Sequence, residues 1–138
     1  MSTDHSAAVL VVDDQPIVTT LLSRMLVQMG LPEVLTAADG FEALEVLNDR
    51  RCALVIADIG MVPMSGLQLL RAMRADKRHK AVPVLIMTAS HDEAPHEEAR
   101  RSLANGYLTK PFTPEALREA ITRILSVWGP QDGAGSAA

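Results

Sequence analysis

Several absences in this sequence each exclude a class of protein. The 138 residues contain one cysteine, Cys52, so neither an internal disulfide framework nor a multi-cysteine zinc site can form. The formal net charge is -4, which argues against a surface that binds nucleic acid non-specifically. No apolar run approaches the roughly 20 residues of a membrane-spanning helix, and the start MSTDHSAA has no signal-peptide pattern. We therefore expect a cytoplasmic protein without membrane insertion or direct nucleic-acid contact.

What the sequence does contain is a regular alternation of short apolar runs and amphipathic segments. Five runs rich in Val, Ile and Leu predict strands that are buried on both faces. They are AVLVV at 8–12, VLTA at 34–37, ALVIA at 53–57, VPVLIM at 82–87 and GYLT at 106–109. Apolar residues at helical spacing between and after the runs predict five helices, the fourth over 92–105 and the fifth starting at Thr113-Pro114.

This alternation predicts an α/β fold with a doubly wound, five-stranded parallel sheet and helices on both faces. We expect one domain over residues 8–128. The small and polar ends, residues 1–7 and 129–138, are expected to be disordered.

Polar side chains that could carry chemistry follow four of the predicted strands. The sequence places Asp13 and Asp14 after the first, Asp58 after the third, Thr88 after the fourth and Lys110 after the fifth. In an open parallel sheet, ligands bind outside the carboxyl ends of the strands. Neighbouring carboxylates repel one another, so a lysine and a hard cation such as Mg²⁺ would relieve the repulsion. Asp58 could then act as a nucleophile toward phosphorus.

The motifs that follow the strands resemble those of a known family. In order they read VVDDQP, DGFEAL, ADIGMVPMSG, MTA and YLTKPF. Together they resemble the receiver domain of bacterial two-component response regulators, in its single-domain, chemotaxis-regulator-like form, over about residues 8–127. This resemblance implies a flavodoxin-like sheet with the strand order 2-1-3-4-5.

The resemblance also implies a phosphoacceptor and a metal site. Asp58 would accept the phosphoryl group, and Mg²⁺ would be the cofactor. The metal ligands would be Asp14, Asp58 and the backbone carbonyl of Gly60, with Asp13 acting mainly through water.

Further residues take switch roles by the same resemblance. Lys110 would pair with the phosphoryl group, and Thr88 would be the hydroxyl that moves toward it. Tyr107 would be the aromatic side chain that turns inward as Thr88 moves. The Lys110–Pro111 peptide would be cis, which proline makes accessible.

The function implied is that of a stand-alone signalling switch, which catalyses only its own phosphorylation and dephosphorylation. A histidine kinase or a histidine phosphotransfer protein would donate the phosphoryl group. A downstream protein would read the change on the face built from the fourth and fifth strands and helices.

The chain departs from the family pattern in the loop after Asp58. The family usually has Met-Pro at the third and fourth positions after the phosphoacceptor, whereas here Val62 stands at the fourth and Pro63 follows. Proline restricts the residue before it, so we expect an altered loop path and a weaker metal site. Leu103 occupies a position where the family often has glycine. Gly60 and Ser90, two positions after Asp58 and Thr88, are small, so we expect a short or moderate phosphoryl lifetime.

Three alternative functions compete with the phosphorylated switch. A degenerate receiver would bind partners without phosphorylation. An aspartyl-phosphate enzyme of the haloacid dehalogenase type would need an Asp-x-Asp motif after the first strand, which the chain lacks. A flavodoxin-like nucleotide binder would need a Ser/Thr/Gly-rich loop where DDQP stands.

The remaining titratable side chains are predicted to have ordinary structural roles. The four histidines are interpreted as surface residues, and Cys52 as inert. The basic run RADKRHK at 74–80 is interpreted as a solvated helix end.

Overall fold

The structure is a computed structural model in which residues 7–31, 33–89 and 103–128 are described. Its sheet has five parallel strands in the order β2-β1-β3-β4-β5. The strands are β1 (Ala8–Val12), β2 (Val34–Ala37), β3 (Cys52–Asp58), β4 (Val84–Thr88) and β5 (Gly106–Thr109). The predicted sheet and strand order are confirmed, with β2 and β5 at the two edges.

Four helices lie within the described residues. They are α1 (Pro16–Gln28), α2 (Gly40–Asp49), α3 (Gly66–Arg74) and α4 (Pro114–Trp128). Helix α4 is the fifth helix predicted from the sequence, and its start is confirmed because the Thr113 hydroxyl accepts a hydrogen bond from the Ala116 amide at 3.0 Å. The fourth predicted helix falls mostly on residues 90–102, which lie outside the described residues. None of the described helices is both long and apolar enough to cross a membrane.

The core has two parts, one on each face of the sheet. Successive residues of a strand point to opposite faces, so β1 sends Leu10 and Val12 to one part and Val9 and Val11 to the other. Helices α2 and α3 cover the first part, and α1 and α4 cover the second. This arrangement explains why the central strands read as continuous apolar runs without alternation.

The ends of two strands differ slightly from the prediction. Strand β3 is longer than predicted and runs from Cys52 to Asp58. Strand β4 begins at Val84 rather than Val82. Pro83 has no backbone N–H to donate, and the Val82 carbonyl accepts a hydrogen bond from the Arg74 side chain, outside the sheet. Thr88 is therefore the last residue of β4 and does not follow the strand.

The basic run at 74–80 is not simply solvated, so that interpretation was wrong for Arg74. Its guanidinium donates hydrogen bonds of 2.8–3.1 Å to the carbonyl oxygens of Lys80, Val82 and Leu103 and to the Asn105 side chain. We call these contacts the Arg74 network. They join the end of α3 to the segments that lead into β4 and β5. Leu103, which contributes one of the carbonyls, has a left-handed φ of 69°.

His79 also departs from its predicted surface position. The side chain is buried, with 4% of its surface exposed. Its Nε2 lies 3.0 Å from Oδ1 of Asn48 at the end of α2. The prediction of a surface position was wrong, because the ring is buried and has a hydrogen-bond partner 31 residues away in the chain.

Candidate functional site

Three aspartates meet at the carboxyl end of the sheet. Asp13 and Asp14 lie in the loop after β1, and Asp58 is the last residue of the neighbouring strand β3. One carboxylate oxygen from each lies within 4.8 Å of the other two. Asp13 is buried, Asp58 is partly buried and Asp14 is exposed, so the cluster opens to solvent on one side. The convergence predicted from the sequence is present.

Lys110 bridges two of these carboxylates. Its Nζ lies 3.0 Å from Oδ2 of Asp13 and 3.3 Å from Oδ1 of Asp58. Lys110 lies in the loop directly after β5. The backbone amide of Lys110 donates a hydrogen bond to the Thr88 carbonyl at 2.8 Å. The other carboxylate oxygen of Asp13 accepts a hydrogen bond from the Gln15 amide at 3.0 Å. The buried Asp13 carboxylate therefore has a partner for each of its oxygens and holds Lys110 in place.

The electrostatics of the site favour binding of a cation. Burial raises the pKa of Asp58 above its ordinary value; Lys110 opposes this shift, and the charges of Asp13 and Asp14 add to it. Burial disfavours the ammonium of Lys110, but its hydrogen bond with Asp13 and the charge of Asp58 outweigh that effect and raise its pKa. Three carboxylates and one ammonium leave excess negative charge, which a divalent cation would neutralise.

The two predicted switch residues lie on neighbouring strands. Thr88 ends β4, is buried, and pairs in register with Thr109 of β5. Tyr107 pairs with Ile86 one strand over and packs against the core on the side of α2 and α3. Its hydroxyl oxygen is buried. The structure brings Thr88 next to Lys110 through the backbone and places Tyr107 closer to the middle of the sheet.

The loop between β3 and α3 contains the departure from the family pattern. Gly60 is exposed, and a Cβ built on it would meet no atom within 4 Å. Met61 is buried, whereas Val62 is 72% exposed. The Val62–Pro63 peptide is cis in this structure, as is the expected Lys110–Pro111 peptide.

Gly66 is a site residue that the sequence reasoning missed. A Cβ at this position would overlap the backbone carbonyl of Asp58, so α3 can begin this close to the acceptor strand only with glycine. Ser65 caps the same helix with a capping box that includes Gln68. The Ser-Gly pair before an apolar helix was the available signal.

The sheet is doubly wound, and its carboxyl edge holds three clustered aspartates and a lysine. These features define a flavodoxin-like domain with an acidic phosphoacceptor-type site. Residues 9–122 match the family model described as the response regulator receiver domain. The chain belongs to this family.

Characterised relatives include chemotaxis proteins of similar length. The chain is 37% identical over 116 residues to the chemotaxis protein CheY of Pseudomonas aeruginosa, a match that covers 84% of this chain and 94% of the relative. The solved structure of the chemotaxis response regulator CheY4 of Vibrio cholerae has a TM-score of 0.79 at 36% identity, covering 87% of this chain and 99% of the other.

A further similar structure bears on the metal. It is the receiver domain of a sensor histidine kinase from Pseudomonas aeruginosa, with a magnesium ion coordinated in its active site cleft. The TM-score is 0.79 at 26% identity, and the match covers 88% of this chain and 98% of the other.

Proposed function

We propose that this chain is a stand-alone receiver whose Asp58 accepts a phosphoryl group from a phosphohistidine in a Mg²⁺-dependent reaction. The observation that supports this most directly is the convergence of three carboxylates within 4.8 Å beside the Lys110 ammonium. Membership of the receiver family supports the same reading. The protein would work as a signalling switch and catalyse only its own phosphorylation and dephosphorylation.

The donor set fits a magnesium ion. Mg²⁺ takes oxygen ligands and is usually held by one or two carboxylates together with waters and a phosphate oxygen. Asp14, Asp58 and the carbonyl of Gly60 would bind it, with Asp13 acting through water. When bound, the ion supplies positive charge against the phosphoryl oxygens. The magnesium-bound receiver among the similar structures supports this assignment.

The side chains of the site have different roles in phosphoryl transfer. A carboxylate oxygen of Asp58 forms the new O–P bond as the P–N bond of the donor breaks, and the electron pair returns to the imidazole nitrogen. Lys110, already 3.3 Å from Asp58, pairs with a phosphoryl oxygen. Asp13 keeps the lysine in position through its 3.0 Å contact. Little covalent chemistry is required of the protein beyond this positioning.

The effect of phosphorylation would be transmitted from Asp58 through the strands β4 and β5. Phosphorylation adds negative charge at Asp58, which attracts the Thr88 hydroxyl and allows Tyr107 to change its packing. The altered surface is the one that β4, β5 and α4 help to build, and a downstream protein would bind there. The donor would be a histidine kinase or a histidine phosphotransfer protein, and the setting would be the cytoplasm.

Two further expectations belong to this proposal. The receiver unit would span residues 8–128, and the family match over 9–122 supports that extent. The phosphoryl lifetime would be short or moderate, because Gly60 is exposed and has no side chain to shield the phosphoryl group from water.

The test is the intact mass of the protein after incubation with acetyl phosphate. We expect the wild type to gain the mass of one phosphate with magnesium and nothing when a chelator removes the metal. Asp58→Asn should gain nothing, whereas Asp49→Asn, which changes an exposed carboxylate on α2, should behave like the wild type. No gain in the wild type, even with a phosphorylated histidine kinase as donor, would contradict the proposal and favour a degenerate receiver that binds partners without phosphorylation.

A further inference from the structure

The edge of the sheet at β2 carries a groove that is separate from the carboxylate cluster. It lies between β2 and α2 and has a volume of about 540 Å³. Its position at the edge opposite β5 separates it from the surface through which we propose that phosphorylation is read. The groove is open along one side, where the last strand of the sheet has no neighbouring strand among the described residues.

The backbone of β2 directs hydrogen-bonding groups into this open side. Amides of the β1 segment donate to the carbonyl oxygens of Glu33 and Ala37 at 3.0 and 3.1 Å. Alternate residues of a parallel strand direct their amide and carbonyl groups to opposite sides. Val34 and Thr36 therefore direct theirs away from β1, so this edge offers two donors and two acceptors to an incoming strand.

The next backbone amide that points away from β1 belongs to Ala38, just beyond the end of β2, and it is bonded to a side chain of α2. The Ala38 amide donates to Oε1 of Glu42 at 2.7 Å. A carboxylate of α2 therefore already takes the position that a partner's carbonyl would occupy beyond the end of β2. Within the described residues 33–38, the open edge is limited to Val34 and Thr36, which suits a short segment.

The groove has an apolar floor and an acidic wall. Leu35 and Val46 are half-buried side chains that pack against the core on the α2 side. Glu42, Glu45 and Asp49 line the wall from α2, and their spacing of three and four residues puts them on one stripe of the helix. A segment that lies here meets apolar contacts below and negative charge beside it.

Among the described residues, Arg50 is the one guanidinium that lines the groove, and it does not cancel this charge. Arg50 pairs with Glu33 at 2.6 Å, so the pair is neutral as a unit. The α2 wall therefore keeps its negative potential, which favours a positively charged ligand.

We propose that this groove docks an extended basic segment of a partner protein. The segment would add to the β2 edge through main-chain hydrogen bonds with Val34 and Thr36. Its alternate lysine or arginine side chains would lie against Glu45 and Asp49, and its apolar side chains would cover Leu35. Acidic and predominantly helical ligands do not fit this combination of strand edge and negative wall.

The test is an NMR titration of the full-length, ¹⁵N-labelled protein with a short acetylated peptide of alternating lysine and valine. We expect amide shifts in β2 and α2, weakening as salt is added. Glu45→Lys should weaken binding about fivefold to tenfold, because an attractive contact becomes repulsive. Glu119→Lys, an exposed position on α4, makes the same charge change and should leave the affinity unaltered. Thr36→Pro removes an outward amide at an edge position and should abolish binding while other resonances stay in place.

Several results would overturn the proposal. One is the absence of shifts in β2 at millimolar peptide. Another is equal binding of a peptide with glutamate in place of lysine. A third is an equal loss of affinity in Glu45→Lys and Glu119→Lys, since that would make the attraction a property of net charge alone.

Discussion

The Arg74 network offers the sharpest test of what holds the end of α3 to the segments that lead into β4 and β5. Arg74→Ala removes five hydrogen bonds at once. The bond to the part-buried Val82 carbonyl is charge-assisted and contributes about 1.5–3 kcal/mol. The four exposed bonds compete with water and contribute roughly 0.5 kcal/mol each. The free energy of unfolding should therefore fall by roughly 3.5–5 kcal/mol, a large part of the typical stability of a domain.

Urea denaturation followed by circular dichroism measures this loss. With a slope of about 1–3 kcal/mol per molar urea, the midpoint should fall by roughly 2 M. Arg74→Lys keeps the charge but not the planar fork, so we expect an intermediate midpoint. Faster hydrogen exchange at the amides of Val84 and Asn105, which bond to each other across this network, should accompany the loss.

The matched control is Arg78→Ala. Arg78 belongs to the same basic run, but it is exposed and hydrogen bonds only to Asp76 in the described residues. Its removal should leave the midpoint within error of the wild type. If Arg74→Ala lowered the midpoint no more than Arg78→Ala does, the network would be a surface feature without structural consequence, and the reasoning would fail.

Three further predictions concern single positions. Leu103→Gly should raise the free energy of unfolding by about 0.5–1 kcal/mol, because glycine adopts the left-handed φ of 69° without strain and the lost side chain is 65% exposed. A loss of stability in thermal denaturation would contradict this. Burial raises the pKa of the Cys52 thiol to about 11 from an ordinary 9.0, so alkylation at pH 8 should be slow in the native protein and fast in urea. The stabilisation that this shift gives is present below pH 9 and is lost as the pH rises toward 11, and Cys52→Ala should lack that loss. Gly66→Ala should cost about 1–3 kcal/mol and reduce phosphorylation of Asp58, since the new Cβ overlaps its carbonyl; a variant with wild-type stability and mass gain would refute the close-packing argument.

The sequence allowed the sheet and the convergence of the carboxylates to be predicted, for a physical reason. Strands buried on both faces must be apolar throughout, so their extent is visible in the chain. The carboxyl ends of parallel strands share one edge, so Asp13, Asp58 and Lys110 had to lie close together once the strand order was assumed. That order itself came from the family resemblance, because crossover connections alone allow more than one arrangement.

The features that could not be predicted depend on contacts between distant parts of the chain. His79 has the local sequence of a solvated turn, yet it is buried and lies within hydrogen-bond distance of Asn48, 31 residues away. Arg74 looks like a helix-end cation until the carbonyl of Leu103, 29 residues away, is placed beside it. Gly66 has no local signature beyond a helix start, because its requirement arises from the backbone of Asp58. Side-chain pattern predicts which elements form, but not which backbone groups they will approach.

The Arg74 network lies at the amino ends of β4 and β5, while the Asp58 cluster lies at the carboxyl end of the sheet. Its acceptors are neutral carbonyl and amide oxygens, whose attraction for the guanidinium does not depend on any charge gained at Asp58. The two strands are thus anchored at one end by contacts insensitive to charge at Asp58, and held at the other by contacts that the phosphorylation proposed above would change. A rearrangement that begins at Asp58 should therefore pivot about the anchored end, with displacements that grow along β4 and β5 toward Thr88 and Lys110.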